Sequence, residues 1–136
     1  MVQQAKERLE DAYVDKHNMK RRTELKLGDV MKPLPWPADT FDAVFHVNVY
    51  YFWPNCTQAL KNLHKVMKPN GRIITTLNRD MLDKVVEAGL FNATQTDAHV
   101  TYIAGLKEAG FRDIVLDENC TDEESGFSYH LISAIK

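Results

Sequence analysis

A chain of 136 residues, 44% hydrophobic and 26% charged, has the composition of one globular domain, not of a disordered or fibrous protein. Its formal charge of −2 argues against a nucleic-acid surface built on bulk electrostatics, and the one basic cluster, Lys20-Arg21-Arg22, reads as a solvated helix end. No apolar run approaches the length that spans a membrane, and the first residues, MVQQAKERLE, lack the apolar core of a signal peptide. Cys56 and Cys120 lie far apart without metal-ligand spacing. They read as reduced thiols of a cytoplasmic protein, and no metal site is expected.

Val2, Ala5, Leu9, Ala12 and Tyr13 recur at helical spacing with charge between them, which predicts an amphipathic opening helix. No capping residue precedes it, so it begins as if cut. Thr23–Leu27 alternates and reads as a strand, stopped by Gly28-Asp29. Pro33, Pro35 and Pro37 then exclude regular structure. Phe41 to Val47 or Val49 is a second strand, apolar enough for burial on both faces of a parallel sheet. It runs into His46, Asn48 and four successive aromatic residues, Tyr50 to Trp53.

Asn55 or Thr57 can cap a helix that carries Leu60, Leu63, Val66 and Met67 and stops at Pro69-Asn70-Gly71. Arg72–Leu77 is β-branched and strand-like, and a short helix follows over Met81–Ala88. Another helix, started by Thr96 or Asp97, presents Val100, Ile103 and Leu106 and ends at Gly110. Strands over Arg112–Leu116 and Phe127–Ile135 flank an acidic turn, DENCTDEESG, and can form an antiparallel hairpin. Strands alternating with helices predict an α/β fold with a mostly parallel sheet.

Several pieces now stand in a known order: Gly28-Asp29, Leu34-Pro35-Trp36-Pro37, Phe41-Asp42, Met67-Lys68-Pro69-Asn70-Gly71 and LKEAGFRDI from Leu106 to Ile114. In these motifs the chain resembles the class I S-adenosylmethionine-dependent methyltransferases, and among them the type 11, small-molecule type near the ubiquinone-biosynthesis methylases. The resemblance implies a Rossmann-like methyltransferase sheet, mostly parallel with a C-terminal antiparallel hairpin and helices on both faces. It also implies an incomplete one. The family begins with a strand and a Gly-x-Gly-x-Gly loop, then a second strand ending in an acidic residue. The glycines here stand at 28, 71, 89, 105, 110 and 126, and no two have that spacing. Residues 1–136 are therefore expected to form a single partial methyltransferase domain: a truncated product, an isoform or a degenerate copy.

Open α/β sheets bind ligands beyond the carboxyl ends of their strands. The resemblance places His46 and Val47 beside the methionine part of the cofactor, with Asn48 following toward the acceptor. The alternative for His46 is a hydrogen-bonded strand-end histidine. By the same resemblance Asp29 would accept the exocyclic N–H of the adenine, Gly28 would admit the backbone's close approach, and Val30 would lie against the ring. The alternative is an ordinary Gly-Asp turn. Trp36 would cap the core or flank the adenine. Tyr50 and Tyr51, with Phe52 and Trp53, either wall an apolar acceptor pocket or pack under the following helix.

The methyl donor is already activated, so positioning of the acceptor supplies most of the acceleration. The lack of a triad or metal cluster thus does not argue against an enzyme, and no catalytic residue is singled out. The Asp/Asn-Pro-Pro-Tyr signature of amino-group methylases is replaced by His46-Val47-Asn48-Val49, which lowers nucleic-acid and protein-amide substrates. Two functions follow. One is a small-molecule methyltransferase domain, truncated and inactive alone, with weak or absent S-adenosylmethionine binding. The other is a non-catalytic methyltransferase-like module that self-associates or joins a partner subunit through exposed sheet edges. The missing Gly-rich loop favours the second for this chain. An unrelated nucleotide-binding α/β domain would need a phosphate loop that the sequence lacks.

Overall fold

The structure, a computed structural model, describes Gln4, residues 24–89 and residues 98–136. The expected opening helix, the Lys20-Arg21-Arg22 cluster and the expected helix start at Thr96 or Asp97 lie outside the described residues. The elements are β1 (Phe41–Val47), a 3₁₀ turn (Tyr50–Phe52), α1 (Cys56–Val66), β2 (Met67–Leu77), α2 (Arg79–Glu87), α3 (Ala98–Ala109), β3 (Arg112–Thr121) and β4 (Ser128–Ile135).

Local chemistry explains most boundaries. Asn55, not Thr57, caps α1: its Oδ1 accepts the Gln58 N–H at 2.9 Å. Asn78 does the same for α2 through the Met81 N–H, also at 2.9 Å. Gly110, with φ of +95°, ends α3, and the Phe111 N–H reaches back to the Leu106 carbonyl at 3.0 Å. The turn expected at Pro69-Asn70-Gly71 sits inside β2. There the register with β1 jumps from Phe41↔Met67 to Ala43↔Arg72, and Asn70 adopts a φ of +63°.

The strand order is β1-β2-β4-β3. β1 and β2 pair in parallel, whereas β4 is antiparallel to both β2 and β3. β1, β2 and β3 therefore run one way and β4 the other, and the C-terminal hairpin is present. β3 is longer than its sequence suggests, because Asp117, Cys120 and Thr121 pair through the backbone with Leu131, Tyr129 and Ser128. Acidic side chains do not prevent a ladder when the partner strand continues and the side chains reach solvent. A bulge between Asp117 and Cys120 takes up the misfit.

Residues 24–28 carry no regular structure, which corrects the strand expected over Thr23–Leu27. An alternating segment becomes a strand only where a ladder partner waits, and none of the four described strands pairs with it. Side-chain contacts with the proline loop hold it instead. Lys26 Nζ donates to the Pro35 carbonyl at 3.2 Å and lies 5.2 Å from the centre of the Trp36 ring. Trp36 Nε1 donates to Glu24 Oε2 at 3.3 Å.

One sheet face builds the core. Ile73, Thr75 and Leu77 of β2 and Ile132 and Ala134 of β4 are buried there, under Leu60 of α1, Leu82 of α2 and Tyr102 and Leu106 of α3. The described helices all join this one core. On the opposite face Phe45, Val47 and Val115 are 81%, 52% and 55% exposed. This corrects the burial on both faces expected of β1 from its apolar run: alternation leaves one of its faces open where no described element packs on it. Among the described residues no helix is long and apolar enough to cross a membrane.

Gly71 has no room for a side chain: a Cβ there would stand 2.8 Å from the Lys68 carbonyl and 3.0 Å from that of Asp42. Both neighbours are backbone and cannot rotate away. Gly71→Ala is expected to destabilise the fold by about 2 kcal/mol, read as a lower urea midpoint with an unchanged denaturant slope.

Candidate functional site

The site starts where β1 runs out. Asn48 turns the chain in the left-handed region at a φ of +51°, which an Asn tolerates better than most residues. Its N–H donates to the Thr76 carbonyl at 3.0 Å, and its Oδ1 accepts the Asn78 N–H at 2.9 Å. One side chain thus ties the exit of β1 to the exit of β2. Beside it lies a cavity of about 660 Å³, which Thr76 and Asn78 border along with the β3–β4 hairpin residues Asp122, Phe127 and Tyr129.

His46 points into the core. Its Nδ1 lies 2.9 Å from Thr75 Oγ1 and its Nε2 2.9 Å from Tyr102 Oη. The ring packs against Trp53, with centroids 4.9 Å apart, and edge-on to Tyr102 at 5.5 Å. A neutral imidazole has one donor and one acceptor, so the chain of hydrogen bonds runs in a single direction between Thr75 and Tyr102. Burial disfavours the imidazolium and lowers the His46 pKa from 6.5 to about 4. The hydrogen-bonded strand-end histidine is the geometry observed, with both ring nitrogens held by protein groups.

Of the residues expected around the cofactor, Gly28, Val30 and His46 come together. They border a cavity of about 300 Å³ with Trp36, Val44 and Trp53. Asn62 of α1 pins this loop by donating from Nδ2 to the Val30 carbonyl at 2.8 Å. Asp29 forms a Gly-Asp turn: its Oδ1 accepts the Met31 N–H at 2.9 Å, and Lys32 Nζ lies 3.9 Å from Oδ2. Val47 stands apart on the exposed face of the sheet.

Tyr50 and Tyr51 meet both alternatives that their sequence allows. Tyr50 is 2% exposed and packs on Tyr102 of α3, with centroids 4.5 Å apart. It still forms a wall, with Tyr51 and Trp53, of a smaller cavity of about 150 Å³. Pro54, Cys56, Ala98 and Thr101 also line that cavity. Burial raises the Tyr51 phenol and pushes the Cys56 thiol up to about 11, so both are neutral near pH 7. Among the described residues no group of three His, Cys, Asp or Glu side chains could hold a metal ion.

Sequence reasoning missed Tyr102, Asn62 and the hairpin residues Phe127 and Tyr129. Tyr102 reads as one more apolar position of α3, and Asn62 lies on the polar side of α1. Neither spacing signals a partner 56 or 32 residues away.

The sequence pattern of the methyltransferase domain matches residues 1–75. The chain belongs to the methyltransferase domain family. An uncharacterized methyltransferase of Bacillus subtilis, YdaC, is 31% identical over 84 residues, which cover 62% of this chain and 43% of that protein. The chain spans less than half the length of that relative. Solved structures share the fold. A putative sarcosine dimethylglycine methyltransferase from Galdieria sulphuraria superposes with a TM-score of 0.71 at 12% identity, over 100% of this chain and 67% of that one. A SAM-dependent methyltransferase from Aquifex aeolicus gives 0.65 at 17% identity, over 98% and 62%. Another from Thermotoga maritima, a possible histamine N-methyltransferase, gives 0.64 at 17% identity, over 93% and 70%. Open α/β sheets bind ligands beyond the carboxyl ends of their strands, and the candidate site lies at those ends of β1 and β2.

The His46 environment has a pH signature. Folded His46 titrates near 4 and the unfolded ring near 6.5, so between these values protons favour the unfolded chain. The stability tied to the neutral ring is present above about pH 6.5 and falls away toward pH 4, by roughly 3 kcal/mol in all. Urea midpoints at several pH values should fall more steeply for the native chain than for His46→Asn. Parallel slopes would assign the acid sensitivity elsewhere.

Proposed function

We propose that this chain contributes the carboxyl-terminal part of an S-adenosylmethionine-dependent methyltransferase domain that acts on a small molecule. The observation that carries the reading is the convergence of Gly28, Val30 and His46 on one cavity, with Asn48 and Tyr51 at separate cavities near the β1 exit. The 300 Å³ cavity fits a heterocycle such as adenine, with Gly28, Val30 and Trp36 as its walls. It does not fit the entire cofactor, since the chain has no Gly-x-Gly-x-Gly loop to meet the remainder. When bound, S-adenosylmethionine supplies an activated methyl group. The task left to this chain is to hold the acceptor in line and keep water away. Asn48 and the Tyr50–Trp53 segment have the location for that role.

An association role is a second reading, and the exposed sheet face supports it. Phe45, Val47 and Val115 lie uncovered, and β1 pairs only with β2 among the described strands. An apolar strand with an open edge invites another chain. On this reading the chain is a methyltransferase-like module that self-associates or accepts strands from a partner. Light scattering should find the native chain self-associated, and Phe45→Lys should shift it toward monomer. A monodisperse native chain with strongly protected amides across Phe41–Val47 would refute the association.

For the first reading, calorimetry should find S-adenosylmethionine binding by the 136-residue chain weaker than micromolar. Each lost hydrogen bond to a charged ligand removes roughly 1.5–3 kcal/mol, and the absent loop would have supplied several. Where binding is measurable, Asp29→Asn should weaken it about tenfold, or on the order of 1.4 kcal/mol. Asn keeps an oxygen for the Met31 N–H while removing the charge. Micromolar binding, or an unchanged affinity in the variant, would count against this placement of the adenine.

A further inference from the structure

We infer that the cavity between the 3₁₀ turn and α3 is a receptor for one uncharged aromatic ring, which, on the methyltransferase reading above, belongs to the methyl acceptor. Three observations carry this. The first is size. The cavity measures about 150 Å³, and an apolar cavity of about that volume takes up benzene. It is too small for a nucleotide or a lipid chain, so it holds one part of a molecule.

The second is charge. Among the described residues no ionised side chain lines the cavity: its polar members are Tyr50, Tyr51, Cys56 and Thr101. The thiol and the Tyr51 phenol stay protonated near pH 7 because burial disfavours their anions. A carboxylate or an ammonium ion entering here would lose its hydration without gaining a counter-charge from these residues.

The third is wall geometry. Tyr50 and Tyr51 stand at 73° to one another with centroids 5.9 Å apart, and Trp53 adds a third aromatic wall. A ring placed between such walls can meet one face-on and another edge-on, the two arrangements that aromatic pairs prefer. Tyr50 is held by Tyr102 behind it at 4.5 Å, so this wall exists before a ligand arrives. Thr101, an exposed residue of α3, puts a hydroxyl-bearing side chain on the lining, where a ring substituent can find a polar neighbour.

Cys56 lines the cavity and reports on its occupancy, whether or not methyl transfer occurs. In the Cys120→Ser chain only Cys56 remains to react with N-ethylmaleimide. Phenol at about four times its dissociation constant should slow that reaction about fivefold, because about one-fifth of the sites stay free. Benzoate and tetramethylammonium at the same concentration should give little protection. Thr101→Phe and Ala98→Leu, which fill the cavity from its exposed and buried sides, should each abolish the phenol effect. Near-UV circular dichroism shows which variants keep the fold, and Thr101→Phe starts from an exposed position.

No protection by phenol in the folded chain overturns the proposal, as does equal protection in a filled, folded variant. Protection by tetramethylammonium as strong as that by phenol would make the cavity a cation cage and also overturn it. Methyl transfer to a small molecule without phenol protection keeps the methyltransferase reading and removes the ring site. Phenol protection in a chain whose S-adenosylmethionine affinity is unchanged by Asp29→Asn keeps the ring site and counts against the cofactor placement.

Discussion

His46 holds three elements of this fold together. It sits on β1, its Nδ1 meets Thr75 of β2, and its Nε2 meets Tyr102 of α3. Tyr102 in turn supports Tyr50, and His46 supports Trp53. The aromatic segment after β1 therefore rests on a buried polar chain as well as on apolar packing. Such a chain is stabilising only when every member is satisfied. Removing one member would leave a buried group without a partner, at a cost of about 1–3 kcal/mol. A histidine here must also stay neutral, which burial ensures. This use of the ring explains why a strongly shifted pKa at the mouth of a candidate site does not make His46 a general base.

Around that centre, amide side chains set the loops. Asn48 joins the exits of β1 and β2, Asn62 holds the Val30 loop on α1, and Asn55 and Asn78 start two helices. Each offers an oxygen or an N–H₂ to a backbone group that regular structure leaves unpaired. The consequence for function is positional. The three cavities lie around β1 and its exit, where the chain leaves the sheet and the backbone must be tied down by side chains.

The two faces of the sheet differ physically. The helix-covered face is closed, with Ile73, Thr75, Leu77 and Ile132 buried in register across β2 and β4. The other face leaves Phe45 and Val47 exposed on the strand that, among the described strands, also stands at the edge of the sheet. The same strand thus carries His46, whose ring is hydrogen-bonded within the site, and the most exposed large apolar residue of the sheet, Phe45. Alternation along a strand places neighbouring residues on opposite faces, yet Phe45 and His46 both border the 300 Å³ cavity beside β1, so a chain that covers Phe45 also sits beside that cavity.

The sequence alone was sufficient for the class of fold, the family, the two candidate caps of α1 and the position of β1 and β2, but not for the exposure of β1 on one face. These depend on local spacing and on motif order, and both are written along the chain. It was not sufficient for Thr23–Leu27, because alternation specifies a strand only if a neighbour is present to pair with it. Nor did it reveal that β3 continues to Thr121, since the pairing of Asp117 and Cys120 depends on the length of β4. The hydrogen-bond partners of His46 were decided by tertiary structure, through the approach of Thr75 and Tyr102 from 29 and 56 residues away, and its ring still borders the 300 Å³ cavity. Distances of that kind arise only when separate elements pack, and no pattern within one element encodes them.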